Sequence, residues 1–248
     1  MAEMLGKIEV LDNPLSLAKW VAEWMTQAAL ASRGPFRVSL SGGSTPKALY
    51  SLLASPEFKD RFPWGRVLWF WGDERFVPQD HPDSNYKMTR EAMLSIAPVP
   101  PENIFPIPVE GDADAAAARY AEILQQVYGA PILDPARPLF DIVLLGLGPD
   151  GHTASLLPGQ PVLKERTKWV ACVPHGRDEV RITLTYPALE SARRVAFLVA
   201  GKEKADIFRE IQTGRSLVPA AQLRPVGDLF WFVDRAVVEE DLTAQKSI

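Results

Sequence analysis

Cysteine is almost absent from this chain: Cys172 is the sole one in 248 residues. No intrachain disulfide can form, and a reducing cytoplasm is the expected home. Histidine is scarce too, and His81, His152 and His175 are scattered without paired-ligand spacing, so no metal site and no cofactor is expected. No apolar run approaches the ~18 residues that a bilayer span needs. Met1 to Val10 carries charges instead of the apolar core of a signal peptide. Basic excess is likewise missing: the net charge is −4, the pI is near 5.5, and no Lys/Arg cluster makes a stripe. These absences exclude a general nucleic-acid binder and a membrane protein, and they leave a small molecule as the expected partner. Any anion must be held by a local site. No repeat or low-complexity linker divides the chain, so residues 1–248 are expected to form one domain; the oligomeric state is left open, and a monomer is compatible with it.

Apolar residues make up 47% of the chain, ample for a sizeable core. Ile8 to Leu11 reads as a short strand, and Asn13 followed by Pro14 reads as a helix start. Leu17, Trp20, Val21, Trp24, Ala28 and Ala31 then recur at helical spacing, with both tryptophans expected in the core. Phe36–Leu40, Val67–Trp71, Ile142–Leu145, Val195–Ala200 and Leu229–Val233 are apolar runs of strand length, with Trp169–Val173 and Arg181–Leu184 as shorter ones. Helical patterns follow through Leu49 and Leu53, from about Asn85 through Met93, over Ala113 to Tyr128, and through Ile207 to Ile211. Pro98 to Pro108 is expected to be irregular, and a charged tail ends the chain. Strands alternating with helices predict an α/β fold: an open, predominantly parallel twisted sheet with helices on both faces.

Three strand-end loops carry the chemistry. Ser41-Gly42-Gly43-Ser44-Thr45-Pro46 lies between a strand and a helix. Glycines there let backbone approach a ligand while the helix offers unsatisfied N–H groups, which suits a phosphate; Ser/Thr-rich helix entries also occur merely as caps. The loop lacks the Gly-Lys-Ser/Thr ending of a nucleotide P-loop. Asp73-Glu74-Arg75 sets an acid pair beside an arginine, fit for proton transfer or oxyanion stabilisation, or else a surface ion pair. Asp141 to Pro158 feeds a buried strand into a loop of glycines with Asp150, Gly151 and His152. In an open parallel sheet such a loop borders a ligand crevice where the strand order reverses, which would aim His152 at a ligand; glycine-rich turns and lone histidines are also common as purely structural features. Gly146-x-Gly148-x-x-Gly151 formally fits a dinucleotide fingerprint, but His152 and Pro158 replace the expected helix opening. Arg177 and Arg181 are further candidate anion ligands. No Gly-x-Ser-x-Gly elbow is present, and Cys172 lacks a polar setting.

Ser39 to Pro46, Trp71-Gly72-Asp73-Glu74-Arg75, Asp83-Ser84-Asn85-Tyr86, Gly146 to Leu156 and Arg181-Ile182-Thr183-Leu184-Thr185 together resemble the 6-phosphogluconolactonase family, in the family's order and over nearly the whole chain. The resemblance implies a glucosamine-6-phosphate deaminase/ribose-5-phosphate isomerase-like fold. It also implies hydrolysis of 6-phospho-D-glucono-1,5-lactone to 6-phospho-D-gluconate, the second step of the oxidative pentose phosphate pathway. Under it, His152 is the expected base that activates water without a covalent intermediate, Arg75 the oxyanion donor, Asp73 its orienter or a ligand of sugar hydroxyls, and Asp150 the orienter of the loop. Ser41, Gly42, Gly43, Ser44, Thr45 and Gly151 are the expected substrate-binding residues, with Lys204 and Arg181, then Arg177, closing on the phosphate. The sister glucosamine-6-phosphate deaminase/isomerase resembles the chain at the same loops. It pairs its loop histidine with a glutamate where Leu157 stands here, and has tyrosine in place of Arg75. A non-catalytic sugar-phosphate sensor is the remaining alternative.

Overall fold

The computed structural model describes residues 6–239; the expected charged tail lies outside them. Ten strands are present among these residues: β1 (Lys7–Leu11), β2 (Phe36–Leu40), β3 (Val67–Trp71), β4 (Asp73–Arg75), β5 (Ile104–Phe105), β6 (Ile142–Leu145), β7 (Val170–Val173), β8 (Arg181–Leu184), β9 (Arg194–Val199) and β10 (Asp228–Asp234). Seven of them form a wholly parallel sheet in the order β1-β10-β9-β6-β2-β3-β5. Every residue of β6, Ile142 to Leu145, is buried. Because successive side chains point to opposite faces, that strand is covered on both, as a parallel sheet requires.

The chain builds this sheet in two directions. From β2 it steps outward through β3 to β5; from β6, laid against the other side of β2, it steps through β9 to β10, which pairs with the N-terminal edge strand β1. The reversal falls between β2 and β6, so the loops after Leu40 and Leu145 diverge from adjacent strand ends. That is the geometry that opens a crevice in an open α/β sheet.

Helices α1 (Pro14–Ala31), α2 (Ser44–Leu53), α3 (Asn85–Thr89), α4 (Ala113–Tyr128), α5 (Tyr186–Glu190), α6 (Ala205–Gln212) and α7 (Arg235–Val238) complete the fold. The Asn13 side chain caps α1 by accepting from the Ser16 N–H at 2.9 Å, with Pro14 behind it at the first helical position. The buried stripe of α1 is Leu17, Ala18, Val21, Ala22, Met25, Thr26 and Ala29. Trp24 sits at its border and meets Phe230 and Phe232 edge-on. Trp20 is 47% exposed, which corrects the expectation of two core tryptophans: the 100° step per residue carries position 20 off the stripe.

Two further expectations give way. Asp73 to Arg75 is not loop: it forms β4, which pairs antiparallel with β8, and β8 pairs with β7, making a separate three-stranded sheet beside the parallel one. Within the expected irregular stretch from Pro98 to Pro108, Ile104 and Phe105 add a two-residue edge strand to β3. Pairing this short is set by the neighbouring strand, and no local pattern announces it.

Trp231 shows how the β9–β10 half is held. It is fully buried, stacked on Phe197 with ring centroids 4.0 Å apart and met edge-on by Phe208 of α6 at 5.6 Å. Trp231→Ala is expected to cost ~3–5 kcal/mol of unfolding free energy, read from urea denaturation; a loss below ~1 kcal/mol would contradict this packing role.

Candidate active site

A parallel strand that ends at a crevice leaves backbone groups without ladder partners. Two buried tyrosines supply them here. The Tyr50 hydroxyl of α2 accepts from the Ser41 N–H at 2.9 Å and donates to the Ser41 carbonyl at 2.7 Å. The Tyr120 hydroxyl of α4 does the same for Trp71, at 2.9 and 3.0 Å. Burial raises both phenols above their ordinary pKa, so each remains a neutral donor and acceptor. They fix the roots of the loops after β2 and β3.

The crevice encloses about 320 Å³ and is lined by Ser41 to Pro46, Asp73, Arg75, Asn85, Gly146 to Pro149, His152, Ala154, Arg181 and the β9 end through Lys204. One wall is backbone. Gly43, at φ 106, turns the chain into α2, whose entry has no side-chain cap. Its first N–H groups are therefore available to an anion. At Gly42 a Cβ would overlap the Asn85 carboxamide, which is held by donation to the Asp73 carbonyl at 2.9 Å. Only glycine permits that approach. Lys204, at the start of α6, closes the crevice from the β9 side.

A second wall comes from the small sheet. Asp73 is 7% exposed, and one carboxylate oxygen accepts from the Ser155 hydroxyl at 2.6 Å. The Ser155 N–H in turn donates to the Thr183 hydroxyl of β8 at 3.2 Å. Glu74 points elsewhere: its carboxylate accepts from the N–H groups of Arg75, Asn85 and Tyr86, each at 2.8 Å, and from the Ser84 hydroxyl at 3.1 Å. Burial raises its pKa, against the opposing backbone donors. Glu74 is thus structural, a carboxyl group bound to the start of α3. Arg75 donates to the Asp83 carbonyl at 2.6 Å. In β-register it stands directly opposite Arg181.

The third wall carries the histidine. His152 Nδ1 lies 2.5 Å from Asp150, whose other oxygen accepts from Arg177 at 2.8 Å. Burial, which alone would raise the Asp150 pKa, is overcome by the hydrogen bonds from Arg177 and then His152, and the carboxyl is held well below the usual range. A Cβ on Gly148 would overlap the His152 ring, so glycine is what lets the imidazole lie against its own loop. Ala154 takes the left-handed region at φ 47, a local strain of ~1 kcal/mol for a side-chain-bearing residue. The turn delivers Ser155 to Asp73 and the Thr153 hydroxyl to the Gly146 carbonyl at 2.9 Å.

The structure therefore brings Ser41, Gly42, Gly43, Ser44, Thr45, Asp73, Arg75, His152, Arg181 and Lys204 to one crevice. Asp150 stands behind His152. Gly151 and Arg177 are not among the lining residues: Gly151 packs its turn against Val218, and Arg177 reaches from the β7–β8 turn to Asp150 and to His152, which does line the crevice. Sequence spacing holds no information on which strand end a turn reaches across, so the Arg177–Asp150 contact is visible only in the fold. Asn85 and Ser155 also belong to the site and stand inside the family-like motifs, whereas nothing in sequence marks Tyr50 or Tyr120, whose hydroxyls complete distant backbone. Leu157 is buried and away from the crevice. No α-helix opens after Gly146 to Gly151, in line with rejecting a dinucleotide fingerprint. Among the described residues no group of three or more His, Cys, Asp or Glu side chains gathers to hold a metal ion, and no helix is long and apolar enough to cross a membrane.

Comparison with known proteins places these features in a lineage. The family described as glucosamine-6-phosphate isomerases/6-phosphogluconolactonase matches residues 14–231. A 6-phosphogluconolactonase of Synechocystis sp. is 40% identical over 247 residues, covering 95% of this chain and 98% of its own. The 6-phosphogluconolactonase 3, chloroplastic, of Arabidopsis thaliana is 38% identical over 241 residues, 92% of this chain and 73% of its own. The solved structure of 6-phosphogluconolactonase from Trypanosoma cruzi superposes with a TM-score of 0.82 at 30% identity, over 97% of this chain and 98% of that one.

The Asp150–Arg177 pair makes a pH prediction. A carboxyl depressed in the folded state stabilises it fully above the ordinary carboxylate pKa, and that contribution is lost as pH falls through the folded value. Removing the arginine in Arg177→Ala raises the folded value toward the ordinary one, so Asp150 takes up its proton at higher pH. A carboxyl carbon-13 titration of Asp150 checks this; an unmoved midpoint would show that Arg177 does not hold the group.

Proposed function

The chain belongs to the glucosamine-6-phosphate isomerase/6-phosphogluconolactonase family, and we propose that within it the protein hydrolyses 6-phospho-D-glucono-1,5-lactone to 6-phospho-D-gluconate in the oxidative pentose phosphate pathway. The observation that carries the reading is the juxtaposition, across one crevice, of the Ser41–Thr45 backbone wall and the Asp150–His152 pair. A phosphate-bearing ring ester needs an anchor at one end and a base at the other.

In this mechanism the phosphate rests on the N–H groups of Gly42 to Thr45 at the α2 entry, with Lys204 and Arg181 supplying charge. Ser41 closes the floor of the cradle. The anchor fixes the distant lactone carbonyl, turning binding energy into orientation. Asp150 accepts a hydrogen bond from the Nδ1–H of His152, a tautomer that leaves Nε2 as the basic nitrogen. His152 then removes a proton from water as its oxygen bonds to the carbonyl carbon, and Arg75 stabilises the oxyanion so formed. When the tetrahedral centre collapses, the carbon–ring oxygen bond breaks and His152 returns the proton to that oxygen. Asp73, fixed by Ser155, binds a sugar hydroxyl with its other oxygen. No covalent enzyme intermediate is needed. Arg177 serves by holding Asp150 ionised and Gly151 by shaping the turn, neither touching substrate.

Arg75, and the burial of Leu157 outside the crevice, favour lactone hydrolysis over the deaminase/isomerase chemistry of the same family. The reading takes residues 1–248 as one such domain, resting on a core cluster that runs from Leu17 to Val237. It places the protein in a reducing compartment such as the cytoplasm, the plant relative's chloroplast being another.

The decisive assay follows 6-phosphogluconate formation from freshly generated lactone above its spontaneous hydrolysis. Wild type is expected to exceed background and His152→Ala to lose ~10²–10⁴-fold in turnover while remaining folded. A wild type no faster than background would defeat the activity; a fully active His152→Ala would defeat only the assigned base. Lys204→Ala is expected to raise KM and, because the anchor also orients the lactone, to lower kcat; unchanged kinetics would remove Lys204 from the phosphate site.

A further inference from the structure

Arg75 and Arg181 face each other directly across the β4–β8 ladder, and both line the crevice. Like charges in that register repel. The Nε–H of each is buried and has no hydrogen-bond acceptor in the protein. The nearby acids are largely committed elsewhere: Asp73 to Ser155, and Glu74 to the start of α3. The acidic side chain that does meet the pair is Glu179, whose carboxylate lies 3.1 Å from Arg181 Nη2.

Local backbone explains the placement. The ladder continues past β8, with the Phe76 N–H donating to the Val180 carbonyl at 2.8 Å. Glu179 lies in the bend that leads into β8, two residues before Arg181, and there its carboxylate accepts from the Arg181 guanidinium. The Arg181 side chain is 14% exposed and that of Glu179 32%. Its carboxyl is held low by its own backbone N–H first, against burial, and further by Arg181 and the more distant Arg75. The carboxylate therefore stays charged and answers to both arginines, yet it is accessible enough to be exchanged for another anion.

We propose that Glu179 is a specificity-determining residue that sets the affinity of the crevice for its anionic ligand, acting as an internal counter-ion that competes for Arg181. The inference rests on the reading in which Arg181 binds the substrate phosphate. An arginine pair without a resident carboxylate would hold any dianion, inorganic phosphate or sulfate included, and would release an anionic product slowly. Glu179 offsets part of that charge. Only a ligand that also fills the Gly42–Thr45 cradle and reaches Lys204 then displaces it with profit, so the counter-ion discriminates a sugar phosphate from a bare anion.

The test titrates sulfate, a dianion throughout the neutral range, into wild type, Glu179→Gln and Arg181→Gln by calorimetry, alongside steady-state KM. Glu179→Gln is expected to bind sulfate about threefold more tightly, the size of a partly exposed ion pair, and to show a lower KM without a gain in kcat. A merely structural Glu179 would leave sulfate binding unchanged or weaken it, and either result with sulfate binding lost in Arg181→Gln overturns this inference alone. Sulfate binding unaltered in Arg181→Gln would take that arginine out of the anion site and overturn both readings.

Discussion

A parallel sheet whose strand order reverses must leave backbone groups unpaired where its loops diverge, and the rest of this molecule depends on how they are satisfied. Ser41 and Trp71 sit at the ends of neighbouring strands, and each surrenders both its N–H and its C=O to one tyrosine hydroxyl. A buried unpaired backbone group costs ~1–3 kcal/mol, so without these hydroxyls the strand ends would collapse or admit water. With them, α2 and α4 are pinned to the loops they flank. The cradle at Gly42 to Thr45 and the turn into β4 inherit fixed origins.

Upon those origins the charged groups are arranged so that each acid has one task. Glu74 anchors the start of α3, Asp73 is oriented by Ser155, and Asp150 is held ionised between Arg177 and His152. The arginines divide similarly: Arg177 stands behind the histidine, while Arg75 and Arg181 present charge to the crevice. Pairing of this kind fixes ionisation states before a ligand arrives, and so avoids reorganisation during the reaction. The three-stranded sheet is the frame for it. Antiparallel pairing of β4 with β8 puts Arg75 against Arg181 and brings Thr183 beneath Ser155.

Much of the crevice was legible beforehand because its parts are contiguous in sequence. Strand, glycines and helix entry at Ser41, and strand, glycines and histidine at Asp141 to His152, each follow from residue types whose backbone preferences are local. Where residues act on groups distant in sequence, legibility failed. An isolated arginine in a turn, such as Arg177, carries no sign of which loop it crosses, so its bond to Asp150 is not legible along the chain. Trp20 read as core because helical periodicity gives the spacing of a stripe but leaves its centre to the partner surface, and β4 was missed because its partner lies more than a hundred residues downstream.

The amino-acid sequence by itself determined the alternation of buried strands with helices, the positions of the glycine-rich and histidine loops, and, through its motifs, the family to which the chain belongs. Those are set by local propensity, glycine geometry and the burial of apolar runs. Tertiary structure alone decided that β6 lies beside β2, that two tyrosine hydroxyls close the strand ends, and that Arg177 serves Asp150 while Glu179 serves Arg181. Each of these is a contact between side chains and backbone brought together by sheet order and antiparallel register. The free energy of such contacts depends on distance and burial in three dimensions, and neither quantity is written in the spacing of residues along the chain.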